Sequence, residues 1–81
     1  MPTTTEDIRD FIHAKFPHVT IADEEDIFGL GFVNSLFAME LVMFLEGHFG
    51  FRIGNEDLEL SNFRTVVAME RLVVRNVPAA A

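Results

Sequence analysis

The sequence predicts an all-α fold, a small four-helix bundle with a long first loop and a short third helix. Three observations lead there. Apolar residues recur at helical spacing in several segments, and none alternate with the period of two that a strand requires. The chain has 81 residues and no cysteine, so one hydrophobic core has to hold it without disulfides or thiolate metal sites. Finally, Pro17 and Gly50 stand at the borders of the periodic segments, where a helix has to stop.

The first helix is expected over Thr5 to Phe16, where Ile8, Phe11, Ile12 and Phe16 share one face. A threonine supplies its N-cap, Glu6 and Asp7 sit in the first turn where the helix dipole favours negative charge, and Pro17 ends it. Residues 17–34 show no sustained period. A connection that long is uncommon in so small a domain unless it packs its own side chains, and Ile27, Phe28, Leu30, Phe32 and Val33 supply them. The expectation is an ordered loop across the core, with the run Asp23-Glu24-Glu25-Asp26 as a solvated acidic stretch.

The second helix is expected over Ser35 to Phe49, with Leu36, Met39, Val42, Met43, Leu45 and Phe49 on one broad face and Gly50 as its stop. Because Phe37, Leu41 and Phe44 lie around the rest of the cylinder, this helix is either central or partner-facing on a second side. Asn55 to Leu60 reads as a short third helix. Thr65 to Asn76 reads as the fourth, carried by Val66, Met69, Leu72 and Val73, with Arg71 and Arg75 near its negative end. Phe28, Leu41, Leu45, Phe49, Ile53, Val66 and Met69 are the expected core. Residues 1–77 then form one domain, and residues 78–81 are expected to fray.

Thirteen acidic side chains against six basic ones give a net charge of −7, a balance that repels phosphate backbones, so nucleic acid is not an expected partner. The longest apolar stretch, Leu36 to Leu45, contains Glu40 and falls well short of the roughly 20 residues needed to span a bilayer. The N-terminus shows no basic and apolar segments of a secretory signal. A monomeric protein of the reducing cytoplasm, with no membrane association, is the expectation.

Several chemistries fail on spacing. Counting an EF-hand loop from Asp23 places Phe28 at its glycine position and Asn34 at its bidentate glutamate position, so calcium does not fit. His13, His18 and His48 share no metal-ligand spacing. Ser35 lacks the flanking glycines of a nucleophile elbow, and a bundle of this size has little concavity for an oxyanion hole, so a hydrolase is not expected. Locally, Ser35 reads as an ordinary N-cap of the second helix.

A wider pattern gives Ser35 another meaning. Gly31-Phe32-Val33-Asn34-Ser35-Leu36, followed by Glu40-Leu41-Val42-Met43-Phe44-Leu45-Glu46 and Phe49-Gly50, resembles the acyl carrier protein family along nearly the whole chain. The resemblance implies that Ser35 is the attachment point of 4′-phosphopantetheine and that the protein is a carrier and not an enzyme. It implies as partners a phosphopantetheinyl transferase and the enzymes that load and modify the acyl group, an acyltransferase or synthase among them. A serine at a helix N-terminus suits that role, because unpaired N–H groups and the positive end of the dipole favour a phosphodiester.

The departures from the family pattern are Asn34 in place of the usual aspartate, Phe37 at a position often polar, and Gly47 and His48 in place of acids. The segment Asp26 to Met39 is most similar to free-standing carriers of hydroxymalonyl, methoxymalonyl or glyceryl units for polyketide assembly in secondary metabolism. D-alanyl carriers share the spacing around the serine, and a helical interaction module with Ser35 as a mere cap is the alternative of a different class. Partners are expected on Leu36, Phe37, Met39, Glu40, Met43 and Glu46, with apolar contacts outweighing charge.

Overall fold

A computed structural model describes residues 4–31 and 34–77. Among these residues the elements are α1 (Thr4–Lys15), α2 (Ser35–Phe49), two 3₁₀ turns (Asn55–Asp57 and Leu60–Asn62) and α3 (Val66–Asn76). The expected short third helix takes the form of the two 3₁₀ turns. Leu58 and Leu60 are two positions apart, and residues so spaced do not share a face of an α-helix. The two turns are tied together where the Asn62 side-chain amide donates to the Asp57 carbonyl at 2.8 Å. The expected fraying tail, residues 78–81, lies outside the described residues, as do Phe32 and Val33 of the loop.

Helix α1 begins one residue earlier than expected, so its capping position also falls outside the described residues. Ile8 and Ile12 are buried, Phe11 and Phe16 pack against the core from its edge, and the helix runs along α3. Helix α3 is capped by Thr65, whose hydroxyl accepts from the Ala68 N–H at 2.9 Å, and Leu72 and Val73 are fully buried. At the end of α2, Gly50 adopts φ 72°, a left-handed conformation that would strain a side-chain-bearing residue. There the Gly50 and Phe51 N–H groups both donate to the Glu46 carbonyl, at 3.0 and 3.2 Å.

The orientation of α2 departs from the expectation at Phe37, which is buried instead of facing partners. Phe37, Leu41 and Leu45, spaced four apart, form the buried face, whereas Leu36, Met39 and Met43 are 71%, 58% and 68% exposed. The helix is apolar around most of its circumference, so periodicity did not select a face. Aromatic packing selects it. Phe11 stacks on Phe44 with ring centroids 4.2 Å apart and lies 6.0 Å from Phe37, and Phe16 meets Phe37 edge-on at 4.9 Å. Of the expected core, Leu41, Leu45, Ile53, Val66 and Met69 are buried, while Phe28 and Phe49 pack against it from partly exposed positions.

Among its described residues, the loop between α1 and α2 packs on the core through Ile27 and Phe28 as expected, whereas Leu30 is exposed because it lies beyond the Asp26 turn on the outer side, and the acidic run is not simply solvated. Ile27 is completely buried, and its N–H donates to the Arg64 carbonyl at 2.8 Å. The Asp23 carbonyl accepts from the Val67 N–H at 3.1 Å, and the Asp23 carboxylate takes both forks of the Arg9 guanidinium at 2.9 Å.

The packing gives a direct stability test. Leu45→Ala should cost about 2 to 5 kcal/mol, whereas Met43→Ala two residues away should stay within about 0.5 kcal/mol. Denaturant unfolding followed by circular dichroism measures both, and equal costs would mean that the buried face of α2 is misassigned.

Candidate functional site

The N-terminus of α2 is built by Asn34. Its backbone is extended (φ −124°, ψ −177°), its side-chain oxygen accepts from the Phe37 N–H at 3.0 Å, and its carbonyl accepts from the Ala38 N–H at 3.0 Å. Asn34, and not Ser35, is therefore the N-cap, which corrects the local reading of the serine. Ser35 is the first helical residue, is exposed, and makes no side-chain hydrogen bond among the described residues. The first turn of α2 holds no acidic side chain. A hydroxyl free of intramolecular duty, beside helix N–H groups with no competing carboxylate, fits a phosphodiester better than a capping hydroxyl would.

The loop that leads to this helix start is fixed by Asp26. One carboxylate oxygen accepts from the Phe28 and Gly29 N–H groups at 3.0 and 3.1 Å, and the other takes the Arg64 guanidinium at 2.7 Å. Partial loss of solvent works to raise the pKa of Asp26, but the Gly29 N–H, the Arg64 guanidinium and the Phe28 N–H outweigh it and hold the carboxyl below its usual range. Asp23 is likewise held low, chiefly by its hydrogen bonds from Arg9, whose own pKa rises in return. Gly31 then turns the chain with φ 86°, a conformation suited to glycine.

The six residues expected to meet partners do not form one surface. Leu36, Met39 and Met43 share an exposed apolar stripe beside the serine. Phe37, expected with them, is only 4% exposed and belongs to the core, because α2 turns it onto Phe11 and Phe16. Glu40 pairs with Lys15 of α1 at 3.0 Å, and a Glu46 carboxylate oxygen accepts from the Ile53 N–H at 2.7 Å, so both acids have structural partners.

Two further exposed residues, Leu58 and Leu60, extend the apolar surface. With Ala38, Met39, Val42, Glu59 and Phe63 they line a mainly apolar cleft of about 220 Å³. Ala38 and Met39 stand three and four residues after Ser35, one helical turn away. In the sequence, Leu58 and Leu60 stand two positions apart beside acids, a spacing that matches no helical face.

Among the described residues, no group of three His, Cys, Asp or Glu side chains is placed to hold a metal ion, and no helix is long and apolar enough to cross a membrane. Residues 6–73 match the family model described as a phosphopantetheine attachment site. No curated protein and no solved structure matches the chain.

The ion pairs of the loop carry a pH signature. The pKa of Asp23 is depressed in the folded state, so its stabilising contribution is present above the unfolded value of about 3.9 and is lost as pH falls through the lower folded value. The partly exposed Arg9 pair should contribute less than about 1 kcal/mol. Urea unfolding of wild type and Asp23→Asn at a series of pH values should show a gap at pH 5 to 7 that closes below about pH 4. A gap that widens towards acid would reverse the sign of this interaction.

Proposed function

Because the chain belongs to the phosphopantetheine attachment site family, we propose that Ser35 carries the prosthetic group and that residues 1–77 act as an acyl carrier for polyketide or related secondary metabolism. Domains of this family are carriers without catalytic activity of their own. They bear 4′-phosphopantetheine, and their partners are a phosphopantetheinyl transferase and acyl-handling enzymes. The observation that carries the assignment to Ser35 is its place as the uncapped, exposed first residue of α2, with Asn34 as the cap. In the attachment step, Ser35 Oγ forms a phosphoester bond as the pyrophosphate bond of coenzyme A breaks. The adenosine bisphosphate leaves, and the hydroxyl proton passes to a base of the transferase.

When bound, the group supplies a terminal thiol that holds an acyl unit as a thioester. The chain itself presents the serine, keeps the start of the helix in place and offers a surface to enzymes. Hydroxymalonyl, methoxymalonyl or glyceryl units are the proposed cargo, on the resemblance of Asp26 to Met39 to carriers of such units. Partners dock on Leu36, Met39 and Met43, extended by Leu58 and Leu60, and the engagement of Glu40 and Glu46 within the fold supports apolar contact as the main determinant.

Intact mass tests the attachment and the cargo together. With a phosphopantetheinyl transferase and coenzyme A, wild type should gain one phosphopantetheine and Ser35→Ala none, while the variant unfolds within about 0.5 kcal/mol of wild type because no cap is lost. A mass gain by Ser35→Ala would sink the site. The modified protein should then accept glyceryl or malonyl-type units from their loading enzymes. Loading by a D-alanine ligase alone would replace the polyketide reading.

The docking surface has its own test in the rate of modification. Met43→Ala should slow it more than Glu40→Gln does, and the wild-type rate should change little between low and high salt, because exposed charges are screened beyond about 8 to 10 Å at ordinary ionic strength. A rate that collapses as salt rises would make charge the determinant.

A further inference from the structure

We propose that Asn34 is a positioning residue for the modification of Ser35: it takes the capping hydrogen bond and so leaves the serine hydroxyl free to react. The inference rests on the reading of Ser35 as the attachment point. Asparagine and serine are comparably good N-caps, so two adjacent residues compete to start α2. Were Ser35 the cap, the helix would begin at Leu36. The serine backbone would become extended, and Oγ would accept from the N–H of Phe37 or Ala38.

The structure shows both of those donors taken by Asn34, one by its side chain and one by its carbonyl, each at 3.0 Å. Ser35 is held in helical geometry with its hydroxyl exposed. To accept a phosphoryl group, that oxygen must present a lone pair to phosphorus and give up its proton. An oxygen committed to a backbone N–H is turned onto the end of the helix and has a lone pair engaged. No acidic side chain occupies the first turn of α2.

The test compares Asn34→Ala, Asn34→Gln and Asn34→Asp with wild type. Alanine removes the cap. Glutamine keeps an amide for any direct contact with the transferase but is too long to cap, and aspartate caps as well as asparagine. Alanine and glutamine should lower kcat for modification by about five- to thirtyfold, the population shift that loss of an N-cap produces, with KM unchanged. Aspartate should restore kcat.

In the unmodified protein, the carbon chemical shifts of Ser35 should move from helical towards extended values in the alanine and glutamine variants and stay helical with aspartate. A normal rate in Asn34→Ala overturns the proposal. So does a slow rate with helical Ser35 shifts, or a rise in KM alone, which would make Asn34 a contact of the transferase. Full activity of Asn34→Gln with the alanine variant impaired would also assign the amide to direct contact. Ser35→Ala, run alongside, separates the two levels: its modification would refute the attachment site itself, whatever the Asn34 variants do.

Discussion

The seating of Ile27 is the constraint on which the rest of the fold depends. A long loop is a liability in an 81-residue chain, since its backbone polar groups need partners and its ordering costs entropy that a small core can scarcely offset. Here the buried Ile27 side chain joins residues of all three helices in one core, and the backbone beside it bonds to the start of α3. The exchange is mutual. The Asp23 carbonyl satisfies the Val67 N–H, one of the donors that the first turn of α3 leaves without a helical partner, and the Arg64 carbonyl satisfies Ile27. Arg9 and Arg64 then hold the two aspartates that precede the buried residue. Loop and helix ends therefore complete each other, and neither is a finished element alone.

Much of this was legible in the sequence. The limits of α2 are those expected, α3 begins one residue late because Thr65 is its cap, and the long segment after α1 carries its own apolar anchor. What the sequence left open has one physical source. Periodicity assigns a face only when a helix has a polar side, and α2 has little of one, so Phe37 was placed with Met39 and Met43 on the exposed face although it belongs to the core. The cap of α2 was ambiguous for a related reason: Asn34 and Ser35 are both competent, and composition does not choose between neighbours. The acidic run read as solvent-facing because its partners, Arg9 and Arg64, lie far from it in sequence and are brought close only by the fold.

The net charge of the chain is a poor guide to its working surface. Thirteen acids suggest a protein that finds partners by charge, yet among the described residues next to the serine in sequence the exposed side chains include Asn34, Leu36 and Met39 and no acid. Glu40, Glu46, Asp23 and Asp26 are each engaged with a cation or a backbone N–H within the fold. Long-range charge influences how often molecules meet, whatever the local pairing of individual acids.

The aromatic seam between α1 and α2 has a geometric consequence. Phe16, Phe37, Phe11 and Phe44 pack in succession, and the His48 ring continues the series by stacking on Phe44 at 4.9 Å. Successive residues of an α-helix are separated by about 100° around its axis, so these rings fix the azimuth of α2 as a key fixes the angle of a shaft. Rolling the helix by a single residue would pull Phe37 out of the stack and put Leu36 in its place. The direction in which Ser35 faces is thus indexed by rings on the opposite, buried face of the helix.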